Sequence, residues 1–154
     1  MKSLLLLFTL SLLCTEISGS CPENFVRFAN SCYYFITSRL TWFDADQYCT
    51  SLVPKSYNCH LAAIESSAEQ DFLKNHILNN SELRSHSFLT SGNNLDSKKG
   101  WSWSATNRRF TYANWGPSEP SSGKCVQMHK DDSFRWRSLD CEDEPKMFVC
   151  EYEI

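Results

Sequence analysis

The segment Asn114-Trp115-Gly116-Pro117-Ser118-Glu119-Pro120-Ser121-Ser122-Gly123 leads into Lys124-Cys125 and then, nine residues on, into Phe134-Arg135-Trp136-Arg137-Ser138-Leu139-Asp140-Cys141. The first part is rich in glycine, proline and serine, which break regular structure, so it reads as a loop. In the second part aromatic and cationic side chains alternate with period two, the mark of a half-buried strand. A long loop that returns as a short strand ending on a cysteine is the organising feature of this half of the chain.

Working outward, Trp101-Ser102-Trp103-Ser104 and Phe148-Val149-Cys150-Glu151-Tyr152 also alternate. Near the start, Phe25-Val26-Arg27-Phe28 and Cys32-Tyr33-Tyr34-Phe35-Ile36 read as strands around a turn at Asn30-Ser31. Between the two sets lie two helix patterns. Thr41 is a cap with Asp44 three residues on, and Trp42, Ala45, Cys49 and Leu52 fall on one face until Pro54 ends the helix. Ser66 with Glu69 forms a full capping box, followed by a stripe of Phe72, Leu73, His76 and Ile77, with Asn79-Asn80 at the end. Strands, two helices, then more short strands is an α+β order and not a βαβ succession.

The chain has 154 residues, the size of one domain. Its 42% hydrophobic content suffices for a packed core and excludes a wholly disordered chain. With 15 Lys+Arg against 18 Asp+Glu, a formal net charge of -3, a nucleic-acid binder is disfavoured.

Residues 1–20 carry a positive start, an apolar stretch too short to span a bilayer, and Ser18-Gly19-Ser20 before Cys21. This is a secretory signal peptide, leaving residues 21–154 as one secreted, extracellular domain without a membrane span. Cleavage removes Cys14. Cys21, Cys32, Cys49, Cys59, Cys125, Cys141 and Cys150 remain and, in an oxidising compartment, read as a disulfide framework with one cysteine over. Spacing alone does not choose the pairs.

Taken together, these residues resemble the C-type lectin-like domain. The landmarks are Cys21-Pro22 with Phe25, then Cys32 and Cys49, then Leu61-Ala62-Ala63-Ile64 and Phe88-Leu89-Thr90-Ser91-Gly92. Asn114-Trp115, Glu119-Pro120, Cys125, Trp136, Cys141 and Cys150 follow in the family's order. The Thr90-Ser91-Gly92-Asn93 wording is similar to secreted single-domain lectins of arthropods. The resemblance implies two helices, two small antiparallel sheets and a long loop region. It also implies the pairs Cys21–Cys32, Cys49–Cys150 and Cys125–Cys141, with Cys59 left as a buried thiol or, alternatively, as the link of a disulfide-bonded dimer.

Sugar-binding members of the family hold Ca²⁺ through a set of side-chain oxygens, as a hard cation requires. At the matching positions this chain has Glu119-Pro120-Ser121, Gly123 and Trp136-Arg137-Ser138. Only Glu119 is unchanged, Ser121 is a weak substitute, Gly123 has no side chain, and Arg137 is a cation. The expectation is a degenerate site with no calcium or other cofactor. In it the Arg137 guanidinium either replaces the ion by pairing with Glu119 or stays solvated. A Lys98-Lys99-Gly100 run occupies the place of an upstream acidic loop.

Lys98, Lys99, Lys124, Lys130, Arg135 and Arg137 accumulate around this loop, so an extracellular protein or an anionic glycan or lipid surface is the expected partner, against the plain alternative of solubilising charge. In arthropods the family implies interference with host haemostasis or, alternatively, carbohydrate recognition of microbes. Trp101, Trp103, Trp115 and Trp136 are either a sugar-stacking platform or loop core, with core favoured for Trp115 and Trp136. Asn79-Asn80-Ser81 is an N-glycosylation acceptor. Asp131-Asp132 reads as solvated, and no catalytic constellation such as a Gly-x-Ser-x-Gly elbow occurs, so an enzyme is not expected.

Overall fold

The computed structural model describes residues 19–52 and 58–154. The signal peptide up to residue 18, and Pro54 at the end of the first helix, lie outside the described residues. β1 (Val26–Phe28) and β2 (Ser31–Leu40) form the N-terminal hairpin. α1 (Trp42–Ser51), β3 (Cys59–Leu61) and α2 (Ser67–Leu78) follow. β4 (Phe88–Asn93) and β5 (Ser102–Trp103) enter the long loop, and β6 (Cys125–His129), β7 (Arg135–Leu139) and β8 (Lys146–Glu153) leave it.

Both helices begin at the capping residues read from the sequence. Thr41 Oγ1 accepts the Asp44 N–H at 3.4 Å and its hydroxyl donates to the Asp44 carboxylate at 2.9 Å. Ser66 Oγ accepts the Glu69 N–H at 3.2 Å. The second half of that capping box is displaced by one residue. Glu69 Oε2 takes the N–H of Glu65 at 2.8 Å, because its other oxygen is engaged by Tyr33. Trp42, Ala45 and Cys49 on α1, and Leu73 and Ile77 on α2, are the buried stripes. Phe72 and His76 are half-buried and stack on Phe28 and Phe35 of the hairpin.

The strands run in the order β1-β2-β8-β4-β6-β7, with β3 also on β8 and β5 also on β4. The two antiparallel sheets expected are present as two antiparallel groups of one mixed sheet. They are joined by a single parallel ladder in which Phe88 faces Met147 and Leu89 faces Phe148. Disulfides pair Cys21 with Cys32, Cys49 with Cys150 and Cys125 with Cys141, the pattern that the resemblance implies. Cys49–Cys150 anchors α1 to β8 across 101 residues of sequence, the separation for which chain-entropy arguments give the largest stabilisation. Cys59 is a free thiol, 4% exposed, on β3, and burial pushes its pKa up to about 11. That is the buried-thiol alternative; a thiol so placed is a poor nucleophile and is poorly placed to reach a second chain.

Gly92 sits in β4, which is buried along its whole length. A Cβ there would lie 2.9 Å from both Phe110 and Val126, so β4 and β6 approach more closely than any side chain permits. Gly92→Ala is expected to cost about 1–3 kcal/mol through overpacking, read as a lower urea midpoint with an unchanged m-value. A loss within error would show that the neighbours relax.

A buried polar cluster joins β2, β8 and α2. The Tyr33 hydroxyl lies 2.7 Å from Glu69 Oε1 and 3.3 Å from Glu151 Oε1. Glu151 also accepts from Ser31 Oγ at 2.7 Å and from the Ala63 N–H at 3.0 Å. Burial, and then the Glu151 charge, push Glu69 up to about 7; burial raises Glu151 too. A carboxyl whose pKa is raised by folding favours the folded state fully below its unfolded value and loses that contribution as pH climbs through the folded value. For Glu69 the window runs from about pH 4.5 to about 7, on the order of 3 kcal/mol. The protein is therefore expected to melt at a higher temperature at pH 5 than at pH 8. Glu69→Gln is expected to flatten that difference, and a melting temperature that rises toward pH 8 would contradict the assignment.

Candidate functional site

The long loop closes on β7. The Trp136 N–H donates to Asn114 O at 2.8 Å, and the Gly116 N–H donates to Trp136 O at 2.8 Å. The Trp136 ring is fully buried, and Trp103, Phe110, Tyr112 and Trp115 meet it with ring centroids at 5.3, 5.3, 5.6 and 5.7 Å. Its indole N–H donates to Gln70 Oε1 at 2.7 Å, and Gln70 Nε2 donates in turn to Phe134 O at 3.0 Å. The tryptophans are thus loop core. Trp101 is half-buried, edge-on to Trp115 at 4.9 Å, and offers little free face for stacking a sugar.

This frame sets the position of Glu119, whose peptide bond to Pro120 is cis. Glu119 Oε2 accepts three hydrogen bonds: from the Ser138 N–H at 2.9 Å, the Ser138 hydroxyl at 2.9 Å and the Ser121 N–H at 3.0 Å. Ser121 and Ser138 also meet through their hydroxyls at 2.9 Å. Partial burial raises the Glu119 pKa, but the Ser138 and Ser121 donors and the nearby Arg137 charge outweigh it and hold the group below its ordinary value.

Arg137 does not pair with Glu119. It grips Asp132 with both prongs, Nε to Oδ2 and Nη2 to Oδ1, the latter at 3.0 Å. The reason is local. Ser133 and Phe134 both take positive φ, folding the short turn so that Asp132 returns beside β7, while Glu119 is already supplied with donors. Asp132, read from the sequence as solvated, has a side chain only 12% exposed. The Arg137 hydrogen bond holds its pKa below the usual carboxylate range. The sequence reading took Asp132 as solvated and Ser138 only as an altered calcium-ligand position; the partners that they hold, Arg137 and Glu119, emerge from the fold.

At Gly123 an added Cβ would lie 2.4–2.5 Å from the Leu139 backbone. The loop backbone presses on the end of β7 there, so the position has no room for a ligand side chain. Among the described residues, no group of three or more His, Cys, Asp or Glu is arranged to hold a metal ion. The loop offers calcium one carboxylate, with one oxygen already taken by three donors and an arginine nearby, and this donor set does not fit a hard cation that takes six to eight oxygens.

The remaining basic residues do not converge as one face. Lys98 and Lys99 are exposed; Lys99 Nζ donates to Asn107 at 2.9 Å, and Arg109 donates to Lys98 O at 3.1 Å. Lys99 and Lys124 line neighbouring clefts that share Phe43 and Leu95. Arg135 Nε donates to Asp132 O at 3.3 Å. Lys130 stands apart, in a cleft of about 430 Å³ at the end of β6 away from Cys125. Asn79 is exposed as the C-cap of α2. No helix among the described residues is long and apolar enough to cross a membrane.

The family model described as lectin C-type domain matches residues 38–152. Mouse asialoglycoprotein receptor 2 is 33% identical over 142 residues, which are 85% of this chain and 42% of that protein. Human lithostathine-1-alpha is 33% identical over 140 residues, 87% of this chain and 79% of that one. The structure of human lithostathine superposes with a TM-score of 0.76 at 30% identity, covering 87% of this chain and all of the other. These relatives are mammalian, and nothing in them supports the arthropod style suggested by the Thr90–Asn93 wording. With fold, disulfides and loop in agreement, the chain belongs to the lectin C-type domain family.

Proposed function

We propose that this protein is a secreted lectin-like binding protein whose long-loop site works without calcium and whose ligand is an anionic extracellular surface, a sulfated glycan first among them. The observation that carries the reading is the closure of Glu119. One oxygen of its carboxylate, Oε2, is taken up by Ser138 and Ser121, where a calcium-dependent lectin needs the group open. Gly123, pressed against Leu139, and Arg137, held by Asp132, support the same conclusion.

The competing reading is a neutral-sugar lectin, of the kind that the name of the asialoglycoprotein receptor describes. It needs an oxygen cage that these residues do not supply. The binding role itself fits a family of binding proteins more than of enzymes. The settings that the sequence suggested, interference with haemostasis or recognition of microbes, are both compatible with a calcium-free anion binder.

Affinity chromatography separates the two. The protein is expected to be retained on a heparin resin equally with calcium or with chelator, to elute earlier as salt rises, and to pass through mannose and galactose resins. Calcium-dependent retention on either neutral-sugar resin, lost in Glu119→Gln, would contradict the proposal.

A further inference from the structure

One polar cleft among the described residues lies away from the long loop. It lies at the other end of the sheet, where β2 ends, β4 and β8 begin and β6 runs into a turn, and its volume is about 430 Å³. Arg39, His86, His129, Lys130 and Lys146 line it, against one carboxylate, Glu144. Five cationic or imidazole groups from four separate segments meet here, a convergence absent from the loop side.

The hydrogen bonds inside the cleft decide what it can hold. Arg39 Nη2 lies 3.3 Å from His86 Nδ1. A guanidinium only donates, so His86 Nδ1 is the acceptor and the neutral ring carries its proton on Nε2. His129 Nδ1 likewise accepts the Asp131 N–H at 3.3 Å, which puts its proton on Nε2 as well. Both imidazoles are thus left as donors. Lys130 is shared with Asp131 at 2.8 Å, a pair whose side chains are 42% and 63% exposed and therefore weakly held. Lys146 donates to the Glu144 backbone oxygen at 3.1 Å, while the Glu144 carboxylate is 89% exposed and lies 3.8 Å from Lys146 Nζ. A lining made of donors suits a ligand made of acceptors.

We propose that this cleft is a second binding site, separate from the long loop, that takes a sulfate ester carried on an acidic glycan. A sulfate ester is fully ionised at neutral pH and has acceptors only, matching arginine, two lysines and two imidazole N–H groups. The lining favours a sulfated glycan over the other anionic surfaces. None of the exposed large apolar side chains, Phe43, Tyr48, Leu78, Leu95 and Ile154, lines the cleft, so nothing there would insert into a lipid surface. The cleft also lacks the aromatic anchors on which protein–protein interfaces rely. The site rests on the anionic-ligand reading above and gives it a place distant from Glu119.

Calorimetric titration with a heparin-derived hexasaccharide, its desulfated form and inorganic sulfate tests the assignment. The wild-type protein is expected to bind the sulfated hexasaccharide, to ignore the desulfated one, and to bind free sulfate far more weakly. Arg39→Ala with Lys146→Ala is expected to weaken hexasaccharide binding about tenfold and reduce its salt dependence. Glu144→Ala is expected to tighten it about twofold, a gain that misfolding cannot imitate. Lys98→Ala with Lys99→Ala is expected to weaken it far less than the Arg39/Lys146 pair does. If the wild-type protein binds and the Arg39/Lys146 variant binds as well, the cleft assignment falls while the anionic-ligand reading stands. If the Lys98/Lys99 pair carries the loss instead, the site is diffuse surface charge and the cleft assignment is overturned. If the wild-type protein binds no sulfated oligosaccharide, both fall together.

Discussion

Burial of the Trp136 ring determines where the long loop can lie. The ring is enclosed by Trp103, Phe110, Tyr112 and Trp115, and its indole N–H needs a partner once water is excluded. Gln70 of α2 supplies that partner. The backbone on both sides of Trp136 then takes the loop residues Asn114 and Gly116 as hydrogen-bonding neighbours. A disordered loop would leave those groups unpaired and a large aromatic surface in water. The aromatic richness of the sequence is thus spent on fixing a loop, and the position of Glu119 above Ser138 follows from it.

Once the loop is fixed, the chemistry at its tip follows from which donors reach Glu119 first. β7 presents Ser138, with a backbone N–H and a hydroxyl, within 2.9 Å of Glu119 Oε2. Arg137, one residue earlier on the strand, is turned to Asp132. Three residues that the family uses to cage an ion are thus a closed hydrogen-bond unit, a glycine pressed on a backbone, and an arginine in a different pair. Donors supplied by the loop and β7 themselves hold the Glu119 carboxylate in this arrangement.

Much of the fold was legible in the sequence. The caps at Thr41 and Ser66 start both helices because a side-chain oxygen followed three residues later by a carboxylate is a local signal. The alternating run at Phe134–Arg137 became β7, with Arg135 exposed and Trp136 buried, whereas Phe148–Tyr152 lies in β8, where Met147 to Glu151 are all buried. The disulfide pairs came from resemblance, since spacing does not choose among connectivities. What was not legible is what depends on contact between distant segments. The parallel ladder of β4 and β8 joins residues some 60 positions apart. The Arg137–Asp132 pair depends on two left-handed residues, Ser133 and Phe134, that carry no strong turn signature. The donor-lined cleft gathers Arg39, His86, His129, Lys130 and Lys146, of which only Lys130 stood out in the sequence, and then as part of the long-loop surface. Counting charges found the basic character but not its location.

Calcium independence of the loop is best tested at the atoms that close it. Backbone amide resonances of Ser121 and Ser138, followed by two-dimensional NMR as calcium is raised to millimolar concentration, report on that site and not on carboxylates elsewhere. Both amides donate to Glu119 Oε2, and on this account neither moves. Saturable displacement of the two resonances, removed by chelator and absent in Glu119→Gln, would show that the carboxylate is released to an ion and that the loop is a calcium site after all.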